Sequence, residues 1–148
     1  MSEQKYLKYF VFDDKKDLKL PSYRLNTDSK KIIKMTHVDA DTVEGGTFYN
    51  EMMWILPGFG ENYTGKNPNF KEEHTHEFGE LMCFYGLNYD DIMDLGAEIE
   101  FTIDGETHII TKSFTSYIPA GIEHGPLIIR NVQYPIVYFI AGPTDKYK

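Results

Sequence analysis

Short apolar segments recur along the chain and are separated by residues that favour turns. They are rich in β-branched and aromatic residues, which is typical of strands. Asp104 and Gly105 stand between two of them and predict a tight β-hairpin. This pattern predicts an all-β sandwich or barrel. The predicted strands cover 9–12, 31–38, 47–56, 74–85, 97–103, 106–111, 116–119, 127–132 and 135–140.

Three stretches depart from the strand pattern. The segment NYDDIMDLG, residues 88–96, predicts a short helix that Asn88 caps and Gly96 ends. Residues 57–69 are rich in glycine and proline, so we expect a long loop and a candidate lid or pocket rim. Residues 13–17 predict a solvated turn.

The size and composition indicate one globular domain. A chain of 148 residues, 41% hydrophobic and 15% aromatic, can bury a core of its own. We expect a single domain over residues 1–148, with an N-terminal arm over 1–30 and a β-barrel over 31–148.

The charge argues against two classes of partner. Lys and Arg number 15 against 23 Asp and Glu, a formal charge of −8, so the average surface repels nucleic acid and anionic membranes. No apolar run has the length of a membrane span or a signal peptide. Cys83 is the only cysteine, so no internal disulfide can form, and we expect a cytoplasmic protein. Because Cys83 lies in an apolar run, we expect its thiol to be buried.

The stretch HTHEFGE, residues 74–80, carries the candidate chemistry. Alternate side chains of a strand share a face, so His74, His76 and Glu80 would point one way and Glu77 the other. Two imidazoles and a carboxylate can reach one divalent ion from a single strand. The alternative is a row of polar side chains on a solvated strand face.

The same parity places Met82 and Phe84 on the histidine face. A solvated face rarely carries such a pair, which favours a buried face whose polar groups need partners. Both residues are therefore candidates for the lining of a pocket.

A second polar stretch, YIPAGIEHGP, covers residues 117–126. Pro119 and Gly121 predict a tight turn, and His124 follows it. Together, H-x-H-x3-E and P-x-G-x-x-H resemble the two sequence motifs of the cupin superfamily. The resemblance covers residues 70–140.

The resemblance implies a cupin-type double-stranded β-helix, which is a jelly-roll barrel. It also implies one divalent transition metal ion inside the barrel, iron, manganese, nickel, zinc or cobalt, held by His74, His76, Glu80 and His124. The match to the two cupin motifs is not complete. Pro68 replaces the opening glycine of the first motif, and Ile128 stands where the second motif ends in asparagine. If Gly96 rather than Gly86 is the closing glycine of the first motif, residues 86–95 are an insertion at the site.

With this resemblance, we expect a metal-dependent enzyme that acts on a small oxygen-bearing metabolite. The chemistry would be isomerase, lyase or decarboxylase chemistry, or dioxygenation with iron. The alternative is a non-catalytic module that binds a small ligand. No general acid or base can be named.

Trp54, Tyr117 and Tyr138 are further candidates for the pocket lining. His37 alternates with Asp39 and Asp41 and could form a second metal cluster, but an exposed strand end is favoured because no matching ligands follow. His108 is expected in solvent. A homodimer is expected, in which the N-terminal arm would reach across to the partner.

Overall fold

The computed structural model describes residues 4–12, 20–26 and 29–147. The turn predicted at 13–17 lies outside these residues. The described part of the chain is almost entirely strand and loop, which confirms the all-β class. Its strands are β1 Ile32–Val38, β2 Tyr49–Ile55, β3 Glu80–Gly86, β4 Asp94–Ile103, β5 Glu106–Lys112, β6 Phe114–Ile118, β7 His124–Arg130 and β8 Ile136–Gly142.

Two antiparallel sheets face each other across the core. The larger sheet has the order β1-β2-β8-β3-β6, and the smaller has the order β5-β4-β7. Strands far apart in sequence are therefore neighbours, as in a jelly roll. The predicted hairpin is confirmed: Asp104 and Gly105 have φ values of +47° and +79° between β4 and β5. These positive values at both positions match the twist of a two-residue hairpin turn.

Three predicted elements are wrong. The segment 88–96 is not a helix. The Asn88 side chain accepts a hydrogen bond from the Asp90 N–H, and the Asn88 carbonyl accepts one from the Asp91 N–H, which forms a turn. Strand β4 then starts at Asp94. Residues 9–12 contain no strand, and a 3-10 turn spans Leu7–Tyr9. The strand predicted from 74 begins only at Glu80.

The space between the sheets changes from polar to apolar along the barrel. Strand alternation turns every second side chain inwards, and register aligns these positions across the larger sheet. From the polar end, the inward side chains are Tyr49, Glu51, Met53 and Ile55 on β2, Glu80, Met82 and Phe84 on β3, and Ile140, Tyr138 and Ile136 on β8. One end is therefore a packed apolar core, and the other can hold charged groups.

Part of the N-terminal arm is built into this barrel. Leu25 donates its backbone N–H to Phe70 at 2.9 Å, and Glu72 donates to Tyr23 at 2.8 Å. Lys71 in turn pairs with Leu127 of β7, so residues 23–25 and 70–72 extend the smaller sheet. This part of the arm lies on its own chain and reaches into the polar end of the barrel.

Among the described ranges 4–12, 20–26 and 29–147, no helix has the length and apolar character needed to cross a membrane.

Candidate metal centre

Three histidines meet at the polar end of the barrel. One ring nitrogen from each of His74, His76 and His124 lies within 4.8 Å of the others. The backbone holds this arrangement: His74 and His124 exchange both N–H···O bonds, at 2.8 and 2.9 Å. Gly121 donates its N–H to the carbonyl of His76 at 2.8 Å. The turn of the second stretch is thus joined to the first stretch by main-chain hydrogen bonds.

Backbone carbonyls orient two of the rings. Nδ1 of His74 lies 2.7 Å from the carbonyl oxygen of Glu72, and Nδ1 of His124 lies 2.9 Å from that of Ile122. A carbonyl accepts only, so each Nδ1 carries the proton and each Nε2 keeps its lone pair. Both Nε2 atoms are buried and have no hydrogen-bond partner among the described residues. Two free imidazole lone pairs in a buried space are what a divalent transition ion requires.

Glu80 lies beside the histidines. Its Oε2 is 3.0 Å from Nε2 of His76, and its Oε1 is 3.9 Å from Nε2 of His124. The carboxyl group is 1% exposed, so it contributes a buried negative charge next to two of the three rings. Three imidazoles and one carboxylate suit iron, manganese, cobalt, nickel or zinc, and the residues present therefore fit such an ion.

The electrostatics keep the donors in metal-binding form. Burial, with the Lys71 ammonium nearby, lowers the pKa of His74 to about 3. Burial by itself would raise the pKa of Glu80, but the Lys71 ammonium and the hydrogen bond with His76 bring it to about 2. Burial also lowers the pKa of His124. At neutral pH His74 and His124 are therefore neutral and Glu80 is ionised.

Two tyrosines form an aromatic wall around the histidines. Tyr23, carried by the N-terminal segment, stacks on His74 with ring centroids 3.7 Å apart and planes 3° apart. Tyr147 packs against His76 with centroids 5.0 Å apart, and against Tyr49 at 5.0 Å. Both rings remove water from the site and limit how the imidazoles can turn.

Four further polar side chains in the barrel were missed by the sequence reasoning. Arg24 makes two hydrogen bonds to Glu51, at 3.0 and 2.5 Å, and Tyr49 also donates to Glu51. Lys71 extends its ammonium over the ring of Tyr138, 4.9 Å from the centroid. Tyr49 and Glu51 occupy inward positions of β2, and strand parity could have identified them once the inward face was known. Arg24 and Lys71 come from segments that show no strand pattern in the sequence.

A cavity of about 630 Å³ opens at this end of the barrel and reaches His76. It is large enough for a small metabolite. The residues that line it are Thr75, His76, Glu77, Phe78, Gly121, Pro143 and Thr144. The loop 57–69, predicted as a candidate lid or rim, contributes Pro57, Gly58, Glu61 and Asn62 to a different cavity.

The residues predicted to line a pocket divide into two groups. Met82, Phe84 and Tyr138 are fully buried between the sheets, beneath the histidines. Trp54 and Tyr117 are not in the site. Met53 and Ile55 take the inward positions of β2, which leaves Trp54 on the outer face of the sheet. Tyr117 is 65% exposed.

The two remaining histidines have different positions. His108 is exposed on β5, as predicted. His37 was expected at an exposed strand end, and this was wrong: it is 0% exposed, pairs in register with Glu51, and lies 3.6 Å from Asp39. Cys83 is buried, as predicted.

Comparison with solved structures identifies the fold. A cupin 2 domain-containing protein from Halorhodospira halophila aligns with 94% of this chain and 79% of its own, with a TM-score of 0.50 and 11% identity. The chain has the cupin fold. An RmlC-like cupin family protein from Methanocaldococcus jannaschii matches with a TM-score of 0.44 and 14% identity, over 92% of this chain and 91% of that one. A sugar phosphate isomerase of the cupin superfamily from Silicibacter pomeroyi matches with a TM-score of 0.47 and 15% identity, over 84% and 67%.

No protein-family model matches the sequence, and no curated protein is similar to it. At these identities the likeness to the cupin structures extends to the fold alone. What the histidine cluster of this chain can bind follows from its own geometry.

Proposed function

We propose that this cupin is a metalloenzyme that holds one divalent transition metal ion at His74, His76 and His124, with Glu80 as the fourth ligand. The observation that carries the proposal is the pair of buried Nε2 atoms, on His74 and His124, that have no hydrogen-bond partner within the described residues. A buried acceptor without a donor is costly, and a bound metal ion removes that cost. The adjacent carboxylate of Glu80 reduces the positive charge that the ion would bring.

The substrate in this proposal is a small metabolite that carries carbonyl, carboxylate or hydroxyl oxygens. Such an ion supplies a Lewis acid that polarises these groups, or activates O2 where the ion is iron. The chain contributes the positioning: Tyr23 and Tyr147 exclude water beside the histidines, and the cavity at His76 admits the metabolite. The reaction is redox-neutral isomerase, lyase or decarboxylase chemistry, or dioxygenation.

Metal analysis of the purified protein tests the site. We expect about one equivalent of a transition metal in the wild type and a loss of at least tenfold in metal affinity after His76→Ala, because one of the protein ligands is removed. His108→Ala is the matched control, since His108 is an exposed histidine on β5, and it should leave the metal content unchanged. Less than about a tenth of an equivalent in the wild type, with no change in His76→Ala, contradicts the proposal.

Oxygen consumption separates the two classes of reaction. The iron-loaded protein is mixed with catechols, diketones and keto acids while dissolved O2 is followed with an electrode and products by mass spectrometry. Substrate-dependent uptake identifies a dioxygenase, whereas product formation without uptake identifies redox-neutral chemistry. Tight binding of a compound with no turnover under any metal would instead favour a non-catalytic binding module.

A further inference from the structure

Lys71 is a buried cation on the inner side of the histidine cluster. Its residue is 2% exposed, and its backbone is fixed by hydrogen bonds with Leu127 on the smaller sheet. The ammonium lies 4.9 Å from the centroid of the Tyr138 ring, in the layer below the histidines. It also lies 5.8 Å from the ring centroid of Tyr147, which packs against His76.

The hydrogen-bonding capacity of Lys71 is largely unused. An ammonium group has three N–H donors and no acceptor. The structure gives it one polar contact, with Oη of Tyr147 at 3.5 Å, and within the described parts of the chain no carboxylate lies within 4.0 Å of it. Burying a charged group with unused donors is expensive, and such groups concentrate at functional sites.

The balance of buried charge points to an anionic ligand. Arg24 is paired with Glu51 by two hydrogen bonds, so Glu80 is the main counter-charge for Lys71. A divalent ion bound at the histidines would share the charge of Glu80. The interior would then carry an excess of two positive charges in a space with little water, and an incoming anion would offset them.

Tyr147 provides a second donor at the same place. A phenol hydroxyl is protonated at neutral pH and can therefore donate a hydrogen bond. Its oxygen can accept from Lys71, and its O–H can donate to Tyr23 or to a bound ligand. Its ring lies against His76, one of the residues that line the open cavity, which places Tyr147 beside the site.

We propose that Lys71 and Tyr147 form an anion-binding subsite next to the histidine cluster, and that the substrate of this cupin is a small carboxylate. This rests on the proposed metal site, because the second oxygen of the substrate would be held there. Lys71 gives the charge and Tyr147 gives a directed O–H donor. The class of ligand is an oxo acid or hydroxy acid rather than a neutral carbonyl compound.

Isothermal titration calorimetry with pyruvate and its neutral analogue pyruvamide tests the subsite. The protein is loaded with Zn²⁺, which has no redox chemistry, and zinc content is measured in every sample. Lys71→Met keeps the length of the side chain and removes the charge, and it should weaken pyruvate binding about tenfold or more, which is the value of a charged hydrogen bond. Tyr147→Phe keeps the ring and should weaken it about threefold. Pyruvamide affinity should be the same in all variants.

Matched controls use exposed residues of the same type. Lys66→Met removes a lysine whose side chain is 83% exposed, and Tyr117→Phe alters an exposed tyrosine on β6, and both should leave pyruvate affinity unchanged. Lys71→Arg retains the charge, so it should bind pyruvate better than Lys71→Met. If Lys71→Met does not fold, the pyruvate affinities of Tyr147→Phe and Lys71→Arg test the subsite instead. Weaker pyruvate binding by Tyr147→Phe supports the subsite, and wild-type affinity in both variants contradicts it.

Two results overturn the subsite: equal pyruvate affinity in the wild type and the Lys71 variants, or no pyruvate binding by the wild type. If the protein holds one equivalent of zinc, either result contradicts the anion-binding subsite but not the metal centre. If no zinc binds, the metal centre has failed. The pyruvate titration of the metal-free protein then tests Lys71 separately, and lysine-dependent binding would still support the anion subsite.

Discussion

Tyr23 lies flat on His74, with ring centroids 3.7 Å apart and an angle of 3° between the planes. The two residues are 51 positions apart in the sequence, and the hydrogen bond from the Glu72 N–H to the Tyr23 carbonyl brings their segments together. The tyrosine ring covers one face of the imidazole, and the carbonyl of Glu72 fixes its Nδ1 edge. The position of His74 therefore depends on the N-terminal segment.

We predict that Tyr23→Ala lowers the affinity of the proposed metal centre about tenfold. Groups that orient a ligand without touching the metal typically contribute 10- to 100-fold, and loss of the ring would let the His74 imidazole turn and admit water. Competition for Zn²⁺ against a chromophoric chelator measures the change. Tyr23→Phe keeps the stacking and should stay within about threefold of the wild type. An equal loss in both variants would mean that the hydroxyl, not the ring, is what matters.

The sequence predicted most of the strands and the meeting of His74, His76 and His124, for a physical reason. Alternation of inward and outward side chains is local, so it can be traced along one strand, and the hairpin at Asp104 and Gly105 depends only on adjacent residues. His74 and His76 were grouped on the assumption of a strand from 74. They do meet, although main-chain bonds to His124 and Gly121, rather than a continuous strand, hold them.

The remaining parts of the site depend on contacts that no local pattern encodes. Arg24 and Lys71 reach the interior from irregular segments, and each would be assigned to the surface by residue type alone. His37 was misplaced for the same reason, since its burial comes from pairing with β2. Trp54 was misplaced because NEMMWI does not alternate clearly between polar and apolar residues, and either face could have been inward.

Adjacent methionines on β2 lie on opposite faces of the sheet, so one can serve as the control for the other. Met53 is 1% exposed and packs in the core, whereas Met52 is half-buried on the outer face of the same strand. Met53→Ala should lower the free energy of unfolding by about 2–5 kcal/mol through the cavity it leaves, and Met52→Ala by clearly less. Urea denaturation followed by fluorescence measures both. The reverse order would mean that the strand is turned the other way.

The outer face of the larger sheet bears on the expected homodimer. Leu81 and Tyr117 are paired neighbours on β3 and β6 and are 39% and 65% exposed, with Tyr85 at 42% on the same face. We predict that two chains associate through this face, because apolar side chains grouped on a sheet surface favour burial against a partner. Light scattering should give twice the 17.2 kDa mass of one chain.

Charge placed on that face should separate the dimer. Leu81→Glu and Tyr117→Glu are expected to give the monomer mass, since burying an unpaired carboxylate in an interface is unfavourable. Tyr89→Glu is the control, because Tyr89 is 86% exposed in the turn before β4. A wild-type protein of monomer mass at micromolar concentration would contradict the prediction.

The buried pair of Arg24 and Glu51 predicts how stability depends on pH. Burial by itself would raise the pKa of Glu51, but the Arg24 guanidinium and its hydrogen bonds hold it below the ordinary value. A carboxyl whose pKa is lower in the folded protein than in the unfolded chain stabilises the fold at pH values above the unfolded pKa, about 4.3. This stability is lost as the pH falls through the folded-state pKa.

We therefore predict that Glu51→Gln lowers the free energy of unfolding by about 3–5 kcal/mol at pH 7, because it leaves the Arg24 charge buried without a partner. The difference from the wild type should shrink as the pH falls below about 4.3, because Glu51 then takes up a proton in the unfolded chain before it does so in the folded protein. Urea denaturation at pH 7, 5 and 3.5 measures both effects. Glu98→Gln is the control, since Glu98 is 42% exposed in its pair with Arg130, and such pairs contribute about 1 kcal/mol or less. Equal losses in the two variants, or a difference that does not change with pH, would show that the buried pair does not contribute in this way.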